Sequence, residues 1–197
     1  MTADIRSQVT DYARSLAGLS ANPADELSAR VYRDTIAPGE TLARADEMAL
    51  MSSCALTCRA ILRRFIKHPI LEAPYRDRRA VSDLVEIAQA ARAAWAGDRH
   101  VGELIGPGDM LIVGGGEDGG GSEHAWAVLD VVPDPGYEPT PGLLVTGLDG
   151  GQRDAGGHQL ISLRDHEIRD GWDITSTGRR RIRYVLDVAA IVQRFGR

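Results

Sequence analysis

The chain has 197 residues, of which 43% are hydrophobic and 26% are charged, and its formal net charge is -5 at pH 7. This length supports one domain with a sizeable core, and the composition excludes a disordered or fibrous chain. The negative charge lacks the basic footprint of a nucleic-acid binder, and no apolar run reaches the roughly 20 residues that a membrane span requires.

The N-terminal residues are polar and amphipathic, which is not the pattern of a secretory signal. We therefore expect a protein that is cytoplasmic as synthesised, and any export would use another route. The run of arginines at residues 179–181 opens an alternating segment, and we interpret it as a solvated strand end.

The first half of the chain has the apolar spacing of helices. Predicted helices cover about residues 5–16, 23–34, 41–51, 53–68 and 81–95. The fourth of these is the best defined, because Cys54, Cys58 and later apolar residues share one face. Ser52 or Ser53 can cap its N-terminus, and Pro69 ends it.

After Gly108 the period changes to that of strands. Predicted strands cover residues 108–113, 124–132, 143–149, 158–163 and 180–188, and Asp187 can cap a short closing helix. The order of helices and then strands predicts an α+β fold. We expect residues 1–197 to form a single domain, with 1–50 as a helical N-terminal extension and 51–197 as a helix bearing Cys54 plus an antiparallel sheet core.

Two loops between the predicted strands differ in stiffness. Residues 114–123, GGGEDGGGSE, contain six glycines and directly precede His124, which is typical of either a mobile flap or a plain linker. Residues 133–142 are stiffened by proline instead.

The two cysteines, Cys54 and Cys58, lie four residues apart on one predicted helix. That spacing favours neither a disulfide nor a zinc site, so they serve as core residues or in chemistry. Cys54 falls in the first turn of the predicted helix, where the macrodipole and free N–H groups favour a thiolate. Cys58 lies one turn deeper, and we interpret it as a packing residue.

His124 is the best-placed candidate for a general base, because it begins a strand next to a flexible loop. If its strand pairs antiparallel with the next one, Asp149 lies beside it and can orient the ring. Ser53 and Gln152 are the candidate substrate-binding or oxyanion residues, although D-G-G-Q is equally typical of an ordinary turn. We interpret the other histidines as structural: His68, His100, His158 and His166.

The order SSCALTCRAIL, GDMLIV, EHAWAVL and LLVTGLDGGQ resembles the NlpC/P60 and CHAP groups over about residues 50 to 155. These are papain-like cysteine peptidases and amidases that cleave peptide bonds in bacterial peptidoglycan. The resemblance implies a papain-like fold, with N-terminal helices packed on an antiparallel sheet of about five strands. It also implies Cys54 as nucleophile, His124 as base and Asp149 as orienter.

These residues predict a cysteine hydrolase that cleaves an amide bond, such as one in a peptide or peptidoglycan-like substrate, through a thioester. One alternative is a transglutaminase or deamidase that acts on protein glutamine. Another is a non-catalytic binding module on a papain-like scaffold. We expect no cofactor and no metal, because no H-x-x-x-H or H-E-x-x-H pair occurs.

Overall fold

The structure, a computed structural model, describes residues 2–73, 80–97, 101–115, 123–134, 142–170, 173–174 and 180–196. Its helices are α1 (Thr2–Ser15), α2 (Glu26–Ile36), α3 (Leu42–Phe65), α4 (Pro69–Glu72), α5 (Ala80–Ala90) and α6 (Val188–Phe195). Its strands are β1 (Ala94–Ala96), β2 (Met110–Gly115), β3 (His124–Asp134), β4 (Gly142–Arg153), β5 (Gln159–Arg169), β6 (Asp173–Ile174) and β7 (Arg180–Leu186).

Six of these strands close into an antiparallel barrel. Their order is β7-β2-β3-β4-β5-β6, and β6 pairs back onto the start of β7, while β1 pairs with the end of β7. The prediction of a papain-like fold with an open sheet of about five strands is therefore wrong. The reason is the two-residue strand β6, which pairs with β5 on one side and with β7 on the other and so closes the sheet.

Both faces of the barrel wall contribute residues to hydrophobic clusters. One hydrophobic cluster fills the interior and includes Leu111, Trp126, Val128 and Val185. A second, larger cluster joins the outer face of the strands to the helices. The nearly unbroken apolar run of β3 follows from this arrangement, because alternate residues of the strand point into two different cores.

The interior holds a close aromatic contact. The rings of Trp126 and His166 stack with their centroids 4.2 Å apart, and both side chains are buried. Trp126 also lies over Gly147 of β4, where a side chain would collide with the indole ring. Gly147 is therefore needed for Trp126 to fit inside the barrel.

Most predicted elements are found near their expected positions. The closing helix is confirmed, and the Asp187 side chain accepts a hydrogen bond from the N–H of Ala190 at its first turn. The helix predicted over 81–95 ends at Ala90 instead. Trp95, the last residue of the predicted helix, lies on β1 and is 37% exposed.

The largest local difference concerns α3, which is one helix of 24 residues where two were predicted. Thr41 caps it, since its hydroxyl accepts from the N–H of Arg44 at 3.2 Å. The expectation that a helix begins at Ser52 or Ser53 is wrong, because the backbone is helical well before them. The boundary placed between residues 50 and 51 falls inside this helix.

Some predictions concern residues that the structure does not describe. Residues 116–122 of the glycine-rich loop, residues 135–141 of the proline-containing loop, His100 and Arg179 lie outside the described ranges. Within those ranges, no helix is both long and apolar enough to cross a membrane.

Candidate active site

Helix α3 presents Cys54 to the barrel wall, where the helix packs on β3 and β4. Cys54 is half-buried, whereas Cys58 on the same helix is buried. The side chain of His124 and the backbone N–H of Ala125 both lie close enough to the sulfur of Cys54 to stabilise its negative charge. Cys54, in the middle of α3, therefore lies next to His124 and Ala125 at the start of β3.

His124 contacts Asp149 through its other side. Its Nε2 lies 2.8 Å from Oδ1 of Asp149, which leaves Nδ1 as the ring nitrogen for Cys54. The antiparallel pairing of β3 with β4 places the two residues together, with Ala127 opposite Leu148. The His124 side chain is 19% exposed, whereas that of Asp149 is 1% exposed. The buried carboxylate therefore anchors a ring that remains within reach of solvent.

The second oxygen of Asp149 is also held. Gln152 Nε2 donates a hydrogen bond to Oδ2 at 3.1 Å, and Nη1 of Arg164 lies 3.8 Å from the same oxygen. The carboxylate is therefore fixed from both sides, which fixes the angle of the imidazole. Gln152, predicted as a substrate-binding or oxyanion residue, donates its hydrogen bond to Asp149.

Two glycines allow β4 to approach α3 this closely. A side chain on Gly150 would collide with the hydroxyl of Thr57 and come within 2.6 Å of the carbonyl oxygen of Ser53. Gly151 has a φ of +95°, which favours glycine, and it lies against the Ser53 hydroxyl. The register of β4 against β5 shifts between Gly150 and Gln152. The D-G-G-Q segment is thus a β-bulge pressed on α3, not an ordinary turn.

The environment of Cys54 favours its ionised form. Burial raises the pKa of the thiol, but the hydrogen bond and positive charge of His124 and the N–H of Ala125 together outweigh burial. The pKa of Cys54 therefore lies below its ordinary value.

The environment of His124 favours its protonated form. Burial lowers the pKa of the imidazole, but its contacts with the Asp149 carboxylate and with Cys54 raise it to about 9. The two shifts have opposite directions, and both favour a thiolate–imidazolium pair over the neutral pair.

Cys58 differs from Cys54 both in its burial and in the direction in which its thiol pKa is shifted. Its side chain is fully buried in the cluster between the helices and the barrel. Burial raises the pKa of the Cys58 thiol well above its ordinary value, and the nearby Cys54 adds to this rise. The interpretation of Cys58 as a packing residue fits this position.

The predicted contribution of a helix N-terminus is wrong. Cys54 is the thirteenth residue of α3, where the macrodipole is weak and the backbone N–H groups are used within the helix. An oxyanion cannot take hydrogen bonds from these groups. Ser53, predicted as a substrate-binding or oxyanion residue, has a buried side chain that faces Gly151.

The remaining described histidines lie away from Cys54. His68 caps α4, where its Nδ1 accepts a hydrogen bond from the N–H of Ile70 at 3.3 Å. His158 belongs to the turn before β5, and its backbone N–H donates to Asp154. His166 is buried in the barrel interior, although its sequence neighbours are polar.

Among the described residues, no group of three or more His, Cys, Asp or Glu side chains is arranged to hold a metal ion. Comparisons with protein-family models, curated proteins and solved structures found no match to this chain.

Proposed function

We propose that the protein is a cysteine-dependent acyl-transfer enzyme that cleaves an amide bond through a thioester on Cys54. The observation that carries this proposal is the continuous contact from Cys54 to His124 to Asp149, with Cys54 half-buried and Asp149 fully buried. A packing cysteine needs neither a histidine partner nor a buried carboxylate behind that histidine.

The proposed reaction has two steps. The Cys54 thiolate attacks the carbonyl carbon, and His124 gives the proton on Nδ1 to the leaving amine as the carbon–nitrogen bond breaks. The thioester then remains on Cys54. Neutral His124 removes a proton from water, the hydroxide attacks the thioester, and the carboxylic acid leaves as the thiolate is restored.

Asp149 keeps the imidazole in position through both steps. Its contact with Nε2 favours the tautomer that carries a proton on Nε2, which leaves Nδ1 free to accept a proton on the Cys54 side, and it stabilises the imidazolium. The buried position of Asp149 strengthens this interaction, because water does not screen it.

Acylation by an activated ester tests the proposal without knowledge of the natural substrate. With p-nitrophenyl acetate, the wild-type chain should release p-nitrophenolate in a burst and gain one acetyl group on Cys54, identified by peptide mass spectrometry. Cys54→Ala should abolish the burst, and His124→Ala should slow it at least about 100-fold, the usual size of general acid–base catalysis.

The control is Cys58→Ala, which leaves the proposed site intact and should retain the burst. A Cys54→Ala variant that remains folded and still shows the burst would contradict the proposal. An unreactive Cys54 in the folded wild-type chain would favour the non-catalytic binding module instead. Addition of a primary amine after the burst then shows whether water or an amine takes the acyl group.

A further inference from the structure

Arg164 lies beside the site but has no part in the steps above. It is on β5, opposite Gly147 of β4, and its Nη1 is 3.8 Å from Oδ2 of Asp149. Its side chain is 43% exposed, in contrast to the buried carboxylate next to it. A distance of 3.8 Å permits a charge interaction but is too long for a hydrogen bond.

Asp149 does not depend on Arg164 for its hydrogen bonds. One carboxylate oxygen faces His124, and the other accepts from Gln152 at 3.1 Å. Within the described part of the chain, the guanidinium of Arg164 donates no hydrogen bond. Its guanidinium is therefore half-exposed and interacts with Asp149 through charge alone.

A guanidinium in this state matches the geometry of a carboxylate, which it binds through two parallel N–H···O bonds. The neighbouring Asp149 is already occupied and buried, so an external anion is the partner that the exposed face of Arg164 can take. Arg164 contacts Asp149, which contacts His124, which in turn contacts Cys54, so this cation lies on the same side-chain network as the nucleophile.

We propose that Arg164 binds a carboxylate of the acyl substrate, so that the site selects amides with a negative charge close to the scissile bond. This inference rests on the proposed function, because it assigns the substrate class of the same site. Arg164 is then a specificity-determining residue, whereas Gln152 is a positioning residue that acts through Asp149.

Two alkylating probes that differ only in charge test the inference. Iodoacetylglycine carries a carboxylate, iodoacetylglycinamide carries a neutral amide, and both form a thioether as the Cys54 thiolate displaces iodide. The measured quantity is the ratio of their rate constants at Cys54, from mass spectrometry at pH 7. Arg164→Gln should lower this ratio about threefold to tenfold, the range expected of a half-exposed charge pair.

Two further variants separate charge from structure. Arg164→Lys keeps the charge and should retain most of the ratio. Arg169→Gln removes another arginine from the same strand, one that pairs with Glu167 at 3.0 Å, and should leave the ratio unchanged. High salt should reduce the difference between wild type and Arg164→Gln, because it screens the charge.

The ratio distinguishes binding of the probe from a purely structural role. If Arg164 only steadied Asp149, both probes would slow equally in Arg164→Gln and the unchanged ratio would overturn the inference. A Cys54 that reacts rapidly with both probes, with equal ratios in all variants, would overturn the inference and leave the proposed function standing. A Cys54 that reacts with neither probe at pH 7 would overturn both.

Discussion

The contact between Gly150 and α3 gives a direct way to separate the nucleophile from its base. In Gly150→Ala, the new methyl group would collide with the Thr57 hydroxyl and lie 2.6 Å from the Ser53 carbonyl oxygen. The carbonyl belongs to the helix backbone and cannot rotate away, so α3 and β4 must move apart. Overpacking of this kind costs about 1–3 kcal/mol of unfolding free energy.

The same displacement moves Cys54 away from His124, because Cys54 lies on α3 and His124 is held by Asp149 of β4. We expect the rate of Cys54 alkylation at pH 6 to fall at least about tenfold. If the interaction between the Cys54 thiolate and the His124 imidazolium weakens by about 1.4 kcal/mol, the thiolate fraction falls by this factor. Urea unfolding measures the stability, and iodoacetamide labelling measures the reactivity.

Gly106→Ala is the matched control, because its new methyl group would meet only side-chain ends, at 3.4 and 3.7 Å. It should change the unfolding free energy little and leave the labelling rate of Cys54 unchanged. If Gly150→Ala matches wild type in both measurements, the close approach of β4 to α3 does not position the site.

Three further perturbations test the fold and the site. Burial lowers the pKa of His166 to about 4, so the stability it contributes is complete above about pH 6.5 and is lost as the pH falls towards 4. Between about pH 6.5 and pH 4, wild type should therefore lose up to about 3 kcal/mol more unfolding free energy than His166→Phe. Urea unfolding at the two pH values measures this difference, and equal losses in the two proteins would contradict the prediction. Asp83→Asn removes the anion 2.7 Å from buried Arg59 and should cost about 3–5 kcal/mol, whereas a calorimetric melt like that of wild type would contradict a buried ion pair. Gln152→Leu should raise the pH at which Cys54 becomes reactive while Cys58 stays unlabelled, and an unshifted profile would show that Asp149 needs no second support.

The local elements of this fold are largely predictable from the sequence. Helical spacing indicates α1 and α2, period-two alternation indicates β7, and Asp187 marks the start of α6. The proximity of His124 and Asp149 also follows from sequence, because two successive strands joined by a short connection pair antiparallel. Local pattern and neighbour pairing are sufficient for these features.

The barrel is not predictable in the same way. Closure depends on β6, whose two residues, Asp173 and Ile174, carry no periodic pattern. An apolar run such as β3 is equally typical of the centre of an open sheet and of a barrel wall covered by helices. His166 is misleading for a related reason, because its neighbours in sequence are polar while its own side chain points into the interior.

The mid-helix position of Cys54 was missed because serine is typical of a helix N-cap. Ser52 and Ser53 instead continue a helix that Thr41 caps eleven or more residues earlier. The chemical consequence is specific. The ionisation of Cys54 depends on His124 and the Ala125 N–H, without the help of a helix N-terminus.

The most direct test of the central claim is therefore the pH profile of iodoacetamide labelling at Cys54, in wild type and in His124→Ala, from about pH 5 to 9. An ordinary thiol, with a pKa near 8.5, is about 0.3% ionised at pH 6. We predict that wild-type Cys54 is labelled rapidly at pH 6, that His124→Ala moves its profile to higher pH, and that Cys58 stays unlabelled throughout. A Cys54 profile that follows an ordinary thiol in both proteins would contradict the proposed ion pair and the function built on it.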